Sequence, residues 1–162
     1  PARRPRHPGG GVTPAPQLDI TNGRLPAAGI VAGIDTRADS LPDSFVQTAQ
    51  AAHVEGRLVD CVFARTTTRS GNMTAQLELR FEELLLVSCF LTLTTPALCK
   101  LEDADFYGSV DQRYRFHERW LASMGVSGTS AAFPWGSAGV ARDRSDNVYI
   151  YIHNRNNRWA LR

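Results

Sequence analysis

Polar and apolar residues alternate most cleanly in the closing stretch "DNVYIYIHNRNNRWALR". There Val148, Ile150 and Ile152 interleave with Tyr149, Tyr151 and His153, the period of a strand whose two faces meet different surroundings. Upstream, "RLVDCVFARTTT" (57–68) combines apolar and β-branched residues as strands do. "GNMT" (71–74) predicts a turn. "LLVSCFLTLTT" (85–95) predicts a buried strand ended by Pro96. The predicted core is Leu86, Val87, Phe90, Leu91, Leu93, Val148, Ile150 and Ile152.

Two segments carry both periods. In "AQLELRFEE" (75–83), Leu77, Leu79 and Phe81 alternate with Glu78, Arg80 and Glu82 as in a strand, yet Leu77, Phe81, Leu84 and Leu85 share a helical stripe. In "DQRYRFHERW" (111–120), a strand separates Arg113, Arg115, His117 and Arg119 from Tyr114, Phe116, Glu118 and Trp120. A helix would set Arg115 against Arg119 at i, i+4, so strand is the expectation. "MGVSGTSAAFPWGSAGV" (124–140) is glycine- and turn-rich, with Phe133 and Trp135 as packing anchors. Short strands with polar or glycine-rich connections and few helices predict an all-β sandwich or barrel.

The first 44 residues are of another kind. "PARRPRHPGGGVTPAPQ" is too rich in Pro, Gly and Arg to bury a core, and "LPAAGIVAGIDTRADSLPDS" (25–44) predicts extended chain laid over a neighbouring surface. The predicted organisation is an extended N-terminal arm (1–56) ordered by other chains, a β-sandwich (57–153) and a C-terminal tail (154–162).

Composition narrows the function. A chain of 162 residues that is 43% hydrophobic suits one globular domain. The net charge is +2, and Lys100 is the sole lysine; a GC-rich genome produces the same arginine bias, so charge alone is no nucleic-acid signature. Cys61, Cys89 and Cys99 lack C-x-x-C spacing and read as buried, reduced thiols of an intracellular protein. No apolar run is long enough to span a bilayer, and no secretory signal is expected.

Catalytic signatures are weak. His7, His53, His117 and His153 have no second ligand type at metal spacing, and Asp103 with Asp105 reads as a solvated acidic turn rather than a cation site. G-x-S-x-G, P-loop and H-E-x-x-H patterns are absent. No enzyme, metal or cofactor is expected. Arg3, Arg4 and Arg6 could lie along phosphates or pack under a shell. Arg158 and Trp159, of the residue types that dominate interfaces, are candidates for contact between subunits.

"LPAAGIVAGIDTRADSLPDSFVQTAQAAHVEGRLVDCVFART" resembles the N-terminal part of the largest, fivefold-proximal capsid protein of picornaviruses, with Glu55, Leu58 and Val62-Phe63 leading into the first strand. "QLELRFEELLLVSCFLTLT" resembles that family's short helix and following strand, which makes Gln76–Leu84 helical. "AAFPWGS" and "VYIYIHNRNNRWALR" are similar to its aromatic-Pro turn and its last strand with a basic-aromatic tail. The long surface loops of the family have no room between Thr95 and Ala131. The resemblance implies a jelly-roll capsid protein that assembles with other capsid proteins into an icosahedral shell around an RNA genome. It implies assembly in the host cytoplasm, residence in the virion, attachment to a host receptor, and in some relatives a pocket lipid. Two other readings stand beside it. One is a single-stranded nucleic-acid-binding β-barrel using the arm, Arg113, Arg115 and Arg119, with Tyr114 and Trp120 stacking on bases. The other is a small hydrolase built on Asp111, His117 and Glu118.

Overall fold

Hairpins between sequence neighbours build most of the sheet. The computed structural model describes residues 14–158. Strands β1 (Leu25–Ala27) and β2 (Ile30–Ala32) form a small hairpin, and a 3-10 turn follows at Ala38–Ser40. Four strands then run back and forth: β3 (Val46–Val54), β4 (Arg57–Ser70), β5 (Met73–Glu82) and β6 (Leu85–Thr94). Helices α1 (Pro96–Ala104) and α2 (Val110–Ser123) come next, and a second meander closes the fold: β7 (Ser130–Phe133), β8 (Gly136–Arg142) and β9 (Val148–Asn154). All seven strands from β3 onward share one antiparallel sheet in the order β3-β4-β5-β6-β9-β8-β7.

The turns explain the local folding. Glu55-Gly56 joins β3 to β4 with φ of 49° and 75°, the left-handed pair of a two-residue hairpin whose twist matches its strands. Gly71-Asn72 joins β4 to β5, as predicted. Glu83-Leu84 joins β5 to β6 at φ of 50° and 68°, a conformation ill-suited to either side chain. That turn is held from outside: Leu84 O accepts from Ala38 N, and Glu83 N donates to Asp60 O. Thr95 caps α1 by accepting from Leu98 N, with Pro96 in the first turn, where a missing N–H costs nothing.

The mostly-β expectation holds, but the core lies between one sheet and a mixed cover. On the inner face stand Ala64, Ala75, Leu77, Leu79, Phe81, Leu86, Cys89, Leu91, Leu93, Ala138, Val140, Ile150 and Ile152. Helix α2 lies against β8 and β9 and adds Val110 and Leu121. The N-terminal segment adds Leu18, Leu25, Ala27, Ala32, Ala38 and Phe45. Residues 14–45 are therefore part of the domain and not of an arm awaiting other chains. Trp135 ties them down by donating from Nε1 to Ile20 O at 2.7 Å and stacking on Phe133.

Three further expectations are corrected. Gln76–Leu84 is not helical: β5 bonds to β4 on one side and β6 on the other, a ladder that outweighs the helical stripe. Residues 111–120 are helix, because Val110, Arg113, His117 and Leu121 follow helical spacing as its buried face. Phe90 lies outside the core. A bulge places Arg80 opposite Ser88 but Phe81 opposite Leu86, so Val87 is the extra residue and Phe90 turns to the outer face. The other predicted core residues are buried.

The two polar members of the α2 face are bolts. Arg113 is 4% exposed and donates to Ser109 Oγ, Asp146 O and Phe106 O, with its guanidinium 4.2 Å from the Phe106 ring centre. His117 is 1% exposed. Its Nε2 accepts from Leu93 N at 3.0 Å, so the proton sits on Nδ1, which donates to Arg113 O at 2.7 Å. Burial pushes this imidazole below its ordinary pKa, more than the bond to Arg113 O holds it up, and the Arg113 charge adds to the lowering.

His117 is thus neutral in the fold, whereas the unfolded chain takes up a proton below about pH 6.5. Its contribution is fully present above that pH and is lost as pH falls toward its folded value. Urea denaturation at a series of pH values should show stability declining below about pH 6.5. His117→Ala should cost about 3 kcal/mol at neutral pH, from the orphaned Leu93 N–H and the cavity together. The same substitution should flatten part of the acid slope.

Candidate functional site on the outer face of the sheet

The face opposite the core carries an open cleft. Strand parity places Phe63, Arg65 and Thr67 of β4, Gln76, Glu78 and Arg80 of β5, Phe90 and Thr92 of β6 and Tyr149 of β9 on it. Together with Asp143 on the β8–β9 connection they line a cleft of about 600 Å³. The aromatic positions sit on a half-exposed surface, and Phe90 packs edge-on against Tyr149 at 5.8 Å and against His153 at 6.1 Å.

Charge on this face is paired. Arg65 Nε donates to Glu78 Oε2 at 2.9 Å, and Arg80 Nη2 to Glu82 Oε1 at 3.0 Å. Both guanidinium groups lie 6.0 Å from the Phe63 ring centre. Asp143 accepts from Ser145 N and from the backbone and side chain of Asn147, which hold its carboxyl below the usual range. The cleft therefore offers apolar rings and compensated charges, with no excess of either sign.

At the β9 end of this face Ser88 Oγ lies 2.7 Å from His153 Nδ1. A hydroxyl this close to an imidazole is the arrangement of an activated nucleophile, so its surroundings decide the chemistry. The amide of Asn157 donates to Ser88 Oγ at 2.8 Å and approaches His153 Nδ1 at 3.3 Å. Nδ1 is thus an acceptor and Nε2 carries the proton. Burial, with the Arg80 charge second, lowers the His153 pKa. Ser88 is 1% exposed, and its oxygen already accepts from the Asn157 amide. The triangle is a clasp. Asn154 and Asn156 extend it by donating to Leu86 O, and Asn156 also to Ile34 O.

Those bonds alter the reading of the tail. Asn154–Asn157, the first residues of the predicted tail, fold back onto their own chain. Arg158 is exposed and borders a second cleft of about 590 Å³, with Arg57, Val59, Glu82, Val87 and Arg155 among its neighbours. Arg3, Arg4, Arg6 and Trp159 lie outside the described residues.

The other sequence candidates are dispersed. Arg113 is buried while Arg115 and Arg119 are exposed, and Tyr114 and Trp120 pack against the core, so no basic-aromatic face forms on α2. His117 has both ring nitrogens engaged, which removes the acid-base grouping with Asp111 and Glu118. Asp105 accepts from Gly108 N as the turn after α1, and among the described residues no His, Cys, Asp and Glu cluster could hold a metal ion. Cys61 and Cys89 are buried, as expected, and burial pushes the Cys89 thiol up to about 12; Cys99, expected to be buried, is instead exposed on α1. None of the described helices is long and apolar enough to cross a membrane. The outer-face cleft escaped sequence reading, although the alternation of Glu78, Arg80 and Glu82 with apolar residues was its signal.

Two substitutions separate clasp from cleft. Phe90→Ala should cost about 1–2 kcal/mol in thermal or urea melts, well below the 3–5 of a core aromatic. Asn157→Ala should cost about 1–2 kcal/mol for the lost buried bond and should speed tryptic cleavage at Arg155 and Arg158 while the sheet stays folded. In comparisons with known proteins, no family model, curated protein or solved structure matches this chain.

Proposed function

We propose that this chain works by binding other protein chains, as a structural subunit of a larger assembly, and not by catalysis. The observation that carries the reading is the outer face: Phe63, Phe90 and Tyr149 beside Arg65 and Arg80 on a rigid sheet. Aromatic residues and arginine are the types enriched where proteins meet. Glu78 and Glu82 already match the cations, which suits a partner carrying both signs. It leaves no positive track for a phosphate backbone, so the nucleic-acid reading is the weaker one.

The viral form of this reading rests on the sequence resemblance. It makes the partners other capsid proteins of an icosahedral, picornavirus-like shell enclosing RNA, and the site of action the virion after cytoplasmic assembly. A jelly roll divides its strands between two facing sheets. Seven strands here share one sheet, so the proposal keeps the assembly role with a single-sheet wall.

Sedimentation and electron microscopy of the full chain, alone and after incubation with an extract of its source, test the reading. Species larger than the monomer are expected. Combined Phe63→Ala, Arg65→Ala and Phe90→Ala should abolish or strongly reduce them while circular dichroism stays native. A chain that remains monomeric in both conditions, or a triple variant that assembles like the parent, would overturn it.

A further inference from the structure

The two edges of the sheet are not alike. Strand β7 is four residues long and is followed at once by Pro134, the short and proline-guarded form that resists further pairing. Strand β3 is nine residues long, reads VQTAQAAHV, and contains no Lys, Arg, Asp, Glu or Pro. Seven of its nine residues are exposed, on both faces of the sheet, and Val46 keeps 70% of its surface open. Such an edge presents a row of main-chain donors and acceptors with nothing to repel a further strand.

Its sequence also says what would cover it. Read in either direction about Gln50, β3 has Val at both ends, Gln47 against His53, Thr48 against Ala52 and Ala49 against Ala51. An antiparallel copy placed on a twofold axis at Gln50 would therefore set valine on valine, alanine on alanine and glutamine on glutamine, with Gln–His and Thr–Ala pairs between them. The backbone permits that register. In a two-residue hairpin the closing pair, here Val54 and Arg57, exchanges both hydrogen bonds, so alternate residues point their N–H and C=O the other way. Those residues are Gln47, Ala49, Ala51 and His53. Centring on Gln50 pairs Ala49 with Ala51 and Gln47 with His53, giving about eight main-chain hydrogen bonds. On the outer face it sets Val46 against Val54 at both ends, an apolar cross-strand pair.

We propose that β3 is a self-pairing edge: two copies of this chain join β3 to β3 antiparallel about Gln50, making one continuous sheet across the dimer. The inference deepens the assembly reading by naming one partner, and it uses the sheet edge rather than the outer face.

The test uses the full chain. Analytical ultracentrifugation should show a concentration-dependent dimer. Gln50 is exposed, so Gln50→Lys and Gln50→Glu should each fold normally yet sediment as monomers, because like charges would face each other across the axis. Mixing the two should restore the dimer. In a Cys61→Ala, Cys99→Ser background, chosen because Cys61 stands opposite Gln50 within the chain, Gln50→Cys should form an intermolecular disulfide on mild oxidation. Thr48→Cys mixed with Ala52→Cys should cross-link, and neither should do so alone. A wild-type monomer at every concentration would overturn the inference; if it still entered larger species with other proteins, the assembly reading would survive. A dimer that persists in both charge variants, or cross-links in another register, would equally defeat the self-pairing while leaving that reading intact.

Discussion

Four residue pairs hold this fold together across its middle. Ser88 to Leu91 of β6 face His153 to Ile150 of β9, the one adjacency in the large sheet that no hairpin supplies. On one side of it β3 to β6 form a local meander, and on the other β7 to β9 form a second. Each meander can fold from neighbouring residues, but neither can bury its inner face alone. The seam must be held by something other than chain proximity, since α1 and α2 intervene in sequence between its strands.

Both ends of the seam are bolted by side chains. Where β9 ceases to pair, the imidazole of His117 accepts from Leu93 N and fastens α2 to β6. At the other end Ser88, His153 and Asn157 form a closed triangle, while Asn154 and Asn156 reach Leu86 O beside the bulge. Buried polar groups that are fully satisfied fix one geometry, because any slip leaves several of them unpaired at once. Burial lowers the pKa of both imidazoles, so acid weakens the seam.

The same construction divides the surfaces by role. The middle of the inner face is filled by α2 and the N-terminal segment. The outer-face cleft and the open edge at β3 are where this sheet meets the outside. A rigid sheet with an aromatic face and an unguarded edge is suited to joining chains, by side chains on one surface and by main chain along the other.

How much of this was legible in the sequence depended on how far each element used ordinary apolar periodicity. The strands at 57–68, 85–95 and 148–153 were readable, as were the turn at Gly71 and the stop at Pro96, because local propensity and period agree there. Helix α2 was not, since two of the four residues on its buried face are Arg113 and His117, and polar residues in core positions erase the apolar stripe. The N-terminal segment gives the core single residues at irregular intervals, which no period reveals. Phe90 sits in a run apolar on both faces, where a bulge at Val87 decided which way it points. Of the candidate site, the sequence supplied the alternating charges of β5, while β3 lay within what read as an extended arm. It could not show that Phe63, Arg80 and Phe90 share one cleft, or that the amides after β9 close on their own chain. The sequence by itself determined the strands whose apolar period is unambiguous and the breaks at Gly71 and Pro96, because those depend on neighbouring residues. Only the tertiary structure decided which strands meet, which face is buried and which edge is left open, because these follow from long-range pairing and polar bolts with no local signature.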